Sequence, residues 1–181
     1  NYLARWDVTN VLDFSYMFAG CTGMTNADGL GRWQVAIQAT VDAPYKLTGM
    51  FMGATRLNFV DFTEWKMYDR DANGGAGEIY VDTTNMLANA GSLQQIVMGI
   101  KGLLQNSGFG LDTIDMVDPG TGNVIKGKHL NSLSAAAGGW TRYGSNVAWF
   151  GPTDALVSIY TPGSEFEAPE NLIYTYVWRG E

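Results

Sequence analysis

The stretch that decides the fold is "SYMFAGCTGM", residues 15–24, because the chain contains a second version of it. The related string "TGMFMGATRL" occupies residues 48–57, and a weaker third version begins in "TTNMLANAGSLQQIVMG", which starts at Thr83. In an alignment of the three strings, the matching residues are Met17, Met50 and Met86; Phe18, Phe51 and Leu87; Gly20 and Gly53; and Cys21, Ala54 and Ala90. The steps of 33 and 36 residues between the aligned methionines are typical of stacked structural repeats.

Each copy has the pattern of a short helix followed by a short strand. In the first copy, Val11, Phe14, Phe18 and Cys21 recur at steps of three and four, which predicts one apolar helical face. In the second copy the run "LNFVDFTEW" alternates in a way that suits a short strand. One helix and one strand cannot bury a core alone, so we expect the copies to stack.

The first copy also resembles a known repeat. Its sequence "WDVTNVLDFSYMFAGCTGM", starting at Trp6, is similar to the repeat of BspA-type leucine-rich-repeat proteins of bacterial surfaces. The resemblance covers about residues 1–105 and weakens toward the C-terminal side. It implies an α/β to α+β fold, in which a short leucine-rich-repeat-like solenoid of helix-plus-strand units precedes a small β-rich cap.

The composition changes near Phe109, so we predict two domains: degenerate repeats at 1–108 and a small α+β module at 109–181. "DPGTGN" at 118–123 predicts a hairpin turn, Thr153 is the expected cap of a short helix from Asp154 to Tyr160, and "IYTYVW" predicts a strand. The pattern that starts at Gly139-Trp140 and ends at Trp178 resembles the Listeria–Bacteroides (internalin B-type) repeat, which implies a β-grasp-like module.

An acidic loop, "DRDANGGAGE" at 69–78, opens like a calcium-binding loop. Asp69, Asp71 and Asn73 alternate, and Glu78 could complete the oxygen ligands. An EF-hand would need an acidic twelfth residue, and that position is Tyr80. A solvated insertion between two repeats is therefore the favoured interpretation, with calcium as the alternative.

Aromatic side chains in a Gly- and Ser-rich context are the candidate ligand-binding residues. Tyr143, Trp149, Phe150 and Tyr160 fit stacking on a sugar ring or anchoring of a protein partner. The alternative, which we favour, is that the tryptophans of this region fill a small β core.

The residues do not predict catalysis. Cys21 occupies the small inward position of the repeat, His129 is the only histidine, and Asp61 and Glu64 lie on different faces of a short strand and turn. We therefore expect a chain that is not an enzyme and needs no cofactor other than the calcium considered above.

Charge and hydropathy limit the classes of partner that we expect for this chain. The net charge of -7 and eleven scattered basic residues argue against nucleic acid and against anionic membranes, and no apolar run is long enough to span a bilayer. The chain opens on Asn1-Tyr2-Leu3, which favours a processed product or an excised piece.

The expected function is adhesion or recognition of a protein or glycan at the bacterial cell surface, outside the cell. The alternatives are a virion decoration or receptor-binding part, within an assembly of other subunits, and a carbohydrate-binding accessory module of a larger enzyme.

Overall fold

The fold is built mainly from short strands. It is seen in a computed structural model that describes residues 2–35, 39–69, 72, 77–99, 101–109, 116–117, 124–125, 139–143, 150–151, 153–162 and 174–179. Two 3-10 helices, η1 Leu3–Arg5 and η2 Asp28–Arg32, and the α-helix α1 Thr153–Ile159 accompany the strands. The strands are β1 Asn26–Ala27, β2 Tyr45–Lys46, β3 Phe59–Phe62, β4 Tyr68–Asp69, β5 Glu78–Ile79, β6 Val81–Asp82, β7 Gln95–Met98, β8 Met116–Val117, β9 Val124–Ile125, β10 Gly139–Tyr143, β11 Phe150–Gly151 and β12 Tyr174–Arg179.

Three successive coils of the chain stack in parallel. We call residues 6–32, 33–64 and 65–99 the first, second and third coil. Strand β1 pairs in parallel with β3, and β3 with β7, so that Asn26 faces Phe59 and Phe59 faces Gln95. These registers reproduce the 33- and 36-residue steps that the sequence alignment gives.

The predicted repeat of α-helix plus strand is wrong. Where the helix was expected, the backbone of the first coil makes successive turns, with positive φ of 59° at Tyr16 and 66° at Gly20. Matching positive φ values occur at Gly49 and Gly53 in the second coil, and at Asn85 and Asn89 in the third. Left-handed residues four positions apart interrupt a right-handed helix in every copy.

Hydrogen bonding explains why the turn wins over the helix. The N–H groups of Phe14, Tyr16, Phe18 and Gly20 donate to carbonyls of the second coil at 2.8–2.9 Å. The intervening N–H groups, of Met17, Ala19 and Cys21, donate three residues back, at 3.0–3.2 Å. Because every second N–H is used between coils, the apolar spacing of three and four arises from stacked turns. A leucine-rich-repeat solenoid of helices and strands is therefore not what these residues form.

Aromatic and apolar side chains fill the interior of the stack. Trp33 and Trp65 are each 1% exposed, and their rings lie parallel within 3° at 6.3 Å between centroids. Phe18 stacks on Phe51 at 5.4 Å. On β3, Val60 and Phe62 point into the core, while Phe59 and Asp61 are half-buried. Side chains of equivalent positions therefore stack on one another from coil to coil.

The C-terminal part continues the same sheet. The six strands of this sheet run in the order β1-β3-β7-β12-β10-β11. Strand β12 pairs antiparallel with β7, so that Tyr176 faces Ile96. The predicted hairpin around residues 118–123 is confirmed by the β8–β9 pair, and the predicted helix and last strand by α1 and β12. The division at 108/109 stays a prediction, but strands from both sides of it share one sheet.

Candidate functional site

The outer face of the first coil exposes residues whose equivalents are buried in the other coils. Met17 is 38% exposed, whereas Met50 and Met86 are fully buried. Trp6 is 50% exposed against 1% for both Trp33 and Trp65. We call the surface formed by Trp6, Leu12, Tyr16 and Met17 the open face.

Leu12 is likewise more exposed than the residues at the equivalent positions of the other two coils. It is 57% exposed, whereas the residues that precede Lys46 and Asp82 in the matching positions, Tyr45 and Val81, are 0% and 4% exposed. The exposure of Trp6, Leu12 and Met17 is thus a consequence of position in the stack, because the equivalent positions in the other two coils are buried.

A row of backbone acceptors lies along the same coil. In the second coil, the carbonyls of Lys46, Thr48, Met50 and Met52 all accept N–H groups from the first. In the third coil, those of Asp82, Thr84, Met86 and Ala88 accept from the second. The matching carbonyls of the first coil belong to Asp13, Ser15, Met17 and Ala19, and no backbone N–H of the described residues donates to them.

Trp6 completes a column of three equivalent indoles. It follows η1 in the string "LARW", as Trp33 follows η2 in "LGRW", with nearly the same backbone angles. Trp6 stacks on Trp33 at 5.9 Å with an interplanar angle of 18°. The indole N–H of Trp33 donates to the Leu3 carbonyl, and that of Trp65 to the Leu30 carbonyl, whereas Trp6 has no such acceptor among the described residues.

Tyr16 holds an unfavourable backbone conformation on this face. Its φ is 59°, and the residues with this conformation in the other coils are Gly49 and Asn85, which tolerate it better. The Tyr16 ring lies over Gly49, and the side chain is 41% exposed. An exposed aromatic residue kept at a strained position is a reason to look for a role in binding.

A charged ladder borders the open face. Asp13, Lys46 and Asp82 lie side by side on successive coils, with the Lys46 Nζ atom 3.8 Å from Asp13 Oδ2. Hydrogen bonds from the side chain and backbone of Ser15, and the charge of Lys46, hold the pKa of Asp13 below its ordinary value. Burial raises the pKa of Asp82, but hydrogen bonds from Thr84 and Thr48 outweigh it, so the net shift is downward.

Two of the four predicted calcium residues, Asp69 and Glu78, are engaged with other groups. Asp69 and Glu78 face each other across the β4–β5 pair. Asp69 forms an ion pair with Lys101, and Glu78 accepts the Tyr80 hydroxyl at 2.7 Å, which raises the pKa of Tyr80. Asp71 and Asn73 lie outside the described residues. Within the described part of the chain, no three His, Cys, Asp or Glu side chains are placed to hold a metal ion.

The four predicted ligand-binding aromatics do not form a described cluster. Tyr160 is 5% exposed, and its hydroxyl lies 3.2 Å from that of Tyr176, with the two rings edge to face. Tyr143 lies at the end of β10 and Phe150 at the start of β11. Trp149 is outside the described residues.

Sequence reasoning missed the open face, although a signal for it was present. Aligning the copies shows apolar residues at equivalent positions in each, and the first copy has no earlier copy in this sequence to cover it. Among the described residues, no helix is long and apolar enough to cross a membrane. Comparison with protein-family models, curated proteins and solved structures gives no match.

Proposed function

We propose that this chain is a non-enzymatic recognition module, displayed at a bacterial cell surface, that binds a protein or glycan partner. The observation that carries the proposal is the open face, where Trp6, Leu12 and Met17 are exposed although their equivalents are buried. Contiguous exposed apolar residues on a folded protein mark interaction sites. The location at a bacterial surface rests on the resemblance of the first copy to surface-protein repeats.

A glycan is the second kind of partner, and Trp6 favours it. One face of its indole packs on Trp33, which holds the ring in place and leaves the opposite face on the outside of the stack. A fixed, half-exposed aromatic ring is suited to stacking on a sugar. This candidate would make the chain an accessory module of a larger enzyme.

The test is a binding survey with the fluorescently labelled full chain. A glycan array and a yeast-displayed peptide library are each probed with wild type, Trp6→Ala and Val41→Ala. Val41 is a matched control, because it is 52% exposed and lies outside the first coil. We expect Trp6→Ala to weaken binding by at least roughly tenfold, as loss of an aromatic anchor does, and Val41→Ala to retain it.

Equal binding by all three proteins would place the site elsewhere and contradict the proposal, as would the absence of binding to every glycan and peptide. Circular dichroism of each variant establishes that it is folded.

Calcium is tested separately by thermal unfolding in EDTA and in millimolar calcium chloride. Because Asp69 pairs with Lys101 and Glu78 with Tyr80, we expect the same Tm in both solutions. A ligand that binds only the folded chain would raise the Tm, so a reproducible rise in calcium would contradict this expectation and support a site at residues 69–78.

A further inference from the structure

We propose that the open face binds a polypeptide coil with the pattern of residues 6–32, stacked parallel and in register on the first coil. This inference rests on the proposed recognition function and names the partner class. The coil donates alternate backbone N–H groups to the carbonyls of Asp13, Ser15, Met17 and Ala19, and it covers the apolar side chains beside them.

The backbone carbonyls of the first coil are arranged like those that accept hydrogen bonds between coils. All eight matching carbonyls of the second and third coils accept an N–H from the preceding coil, at 2.8–2.9 Å. The same row on the first coil has positive φ at Tyr16 and Gly20, as at the equivalent positions of the other coils, and the Met17 N–H donates three residues back as those of Met50 and Met86 do. It therefore already has the geometry that receives a coil twice within this chain.

The direction of these groups disfavours a symmetric pair of open faces. The N–H groups of Phe14, Tyr16, Phe18 and Gly20 donate to the second coil, and those of Ser15, Met17 and Ala19 donate within the first. The matching donor on this face is the Asp13 N–H, because the equivalent N–H of Lys46 donates to the Leu12 carbonyl at 3.1 Å. Two open faces would therefore set four acceptors and one donor against the same set, whereas the opposite, donor side of a coil supplies a donor for each acceptor.

The apolar side chains of the open face also match those that lie between coils. Met17, Leu12 and Trp6 have equivalents that become buried when a coil lies above them. The indole N–H of Trp33 donates to the Leu3 carbonyl, which precedes the first coil, and that of Trp65 donates to the Leu30 carbonyl, which precedes the second. Each indole at the start of a coil therefore reaches the leucine that precedes the coil above it. When a further coil lies above the first, the leucine that precedes this added coil is the matching acceptor for Trp6.

The experiment adds one coil to the full chain. A second copy of residues 6–32 is inserted between Arg5 and Trp6, so the new junctions repeat the natural Arg5–Trp6 and Arg32–Trp33 sequences. The added copy carries Met17→Leu, which gives its peptide a different mass. Oxidation of the original Met17 by hydrogen peroxide is then followed by mass spectrometry, because oxidation of methionine follows its exposure.

In the wild-type chain, Met17 should oxidise well before Met50 and Met86. In the extended chain we expect the original Met17 to oxidise roughly tenfold more slowly, close to Met50. The control is an extended chain whose added copy carries Phe14→Ser and Phe18→Ser, which removes the apolar contacts and should leave Met17 as reactive as in wild type.

A second arm uses a synthetic peptide of residues 6–32, with Met17→Leu, added to the wild-type chain at increasing concentration. Protection of Met17 by this peptide, and not by a scrambled one, supports the proposal. An extended chain that stays folded with Met17 fully reactive overturns it. So does an extended chain that fails to fold, together with a peptide that gives no protection. Binding of a glycan that needs Trp6, with no protection in either arm, rejects the coil while the recognition function stands.

Discussion

At the scale of single residues, Tyr16 is the position where local preference and structure disagree most. Its left-handed backbone costs about 1–2 kcal/mol for a residue of this type. The third coil places Asn85 at this conformation, and asparagine tolerates it. A substitution can therefore separate the backbone strain from the value of the exposed ring.

We predict that Tyr16→Asn leaves the free energy of unfolding unchanged or raises it, because relief of strain offsets the lost ring contact with Gly49. Urea unfolding followed by circular dichroism measures this, with Tyr16→Ala as the control that keeps the strain. A loss of more than about 1 kcal/mol in Tyr16→Asn, with a larger loss in Tyr16→Ala, would show that the ring stabilises the fold more than the backbone strains it.

The Asp13 carboxylate gives a prediction about pH. Its pKa is lowered in the folded chain, so the stabilisation is present above the ordinary aspartate pKa and is lost as the pH falls through the folded value. An NMR titration should place the Asp13 midpoint below the ordinary value in wild type and closer to it in Ser15→Ala. Ser15→Thr, which copies Thr84 beside Asp82, should restore the low midpoint. An ordinary midpoint in wild type would refute the role of Ser15.

At the scale of elements, the repeated unit is a turn whose N–H groups donate hydrogen bonds to the next coil. The free energy that each turn contributes to folding depends on its position in the stack. Phe51 is fully buried between Phe18 and Phe62, whereas Phe18 is only partly buried. Equivalent residues in the first and second coils are therefore unequal in the free energy they contribute.

We expect Phe51→Ala to lower the free energy of unfolding by about 3–5 kcal/mol and Phe18→Ala to lower it by less. Denaturant unfolding of both variants provides the comparison. An equal loss would mean that the first coil is as well covered as the second, which is incompatible with an open face.

The sequence allowed the repeat to be found but not its conformation. The alignment of Met17, Met50 and Met86 predicted the 33- and 36-residue steps, and "DPGTGN" predicted its hairpin. Apolar residues at steps of three and four do not distinguish a helix from stacked turns, because the deciding bonds join residues more than thirty positions apart. Tyr16 in a left-handed conformation has no local sequence signal. The open face was missed because the exposure of a side chain depends on which coil covers it, and the sequence of a single copy does not show this.

At the scale of the whole molecule, strands from both halves share the six-stranded sheet, and buried residues from both halves share its main core. The buried Tyr160 and Tyr176 lie in the same cluster as Trp33 and Trp65 of the coils. The N–H of Leu104 donates to the Tyr160 carbonyl at 2.9 Å, which links the end of the stack to α1. We therefore expect the coils and the C-terminal part to unfold together.

The variant Tyr176→Ala tests this coupling. The lost ring and its contact with Tyr160 should cost about 3–5 kcal/mol, and tryptophan fluorescence and far-ultraviolet circular dichroism should still follow one shared transition. Two separate transitions in wild type, or a variant in which only the C-terminal part melts, would support independent domains at 1–108 and 109–181.

The central claim is that the repeated stretch is a turn bonded to its neighbouring coil. The most direct measurement is NMR scalar coupling across hydrogen bonds in the isotope-labelled chain. We predict couplings from the Phe18 amide nitrogen to the Met50 carbonyl carbon, and from the Phe51 nitrogen to the Met86 carbonyl carbon. Couplings from the Phe18 nitrogen to the carbonyl carbon four residues earlier, at Phe14, would show an α-helix instead and contradict the account.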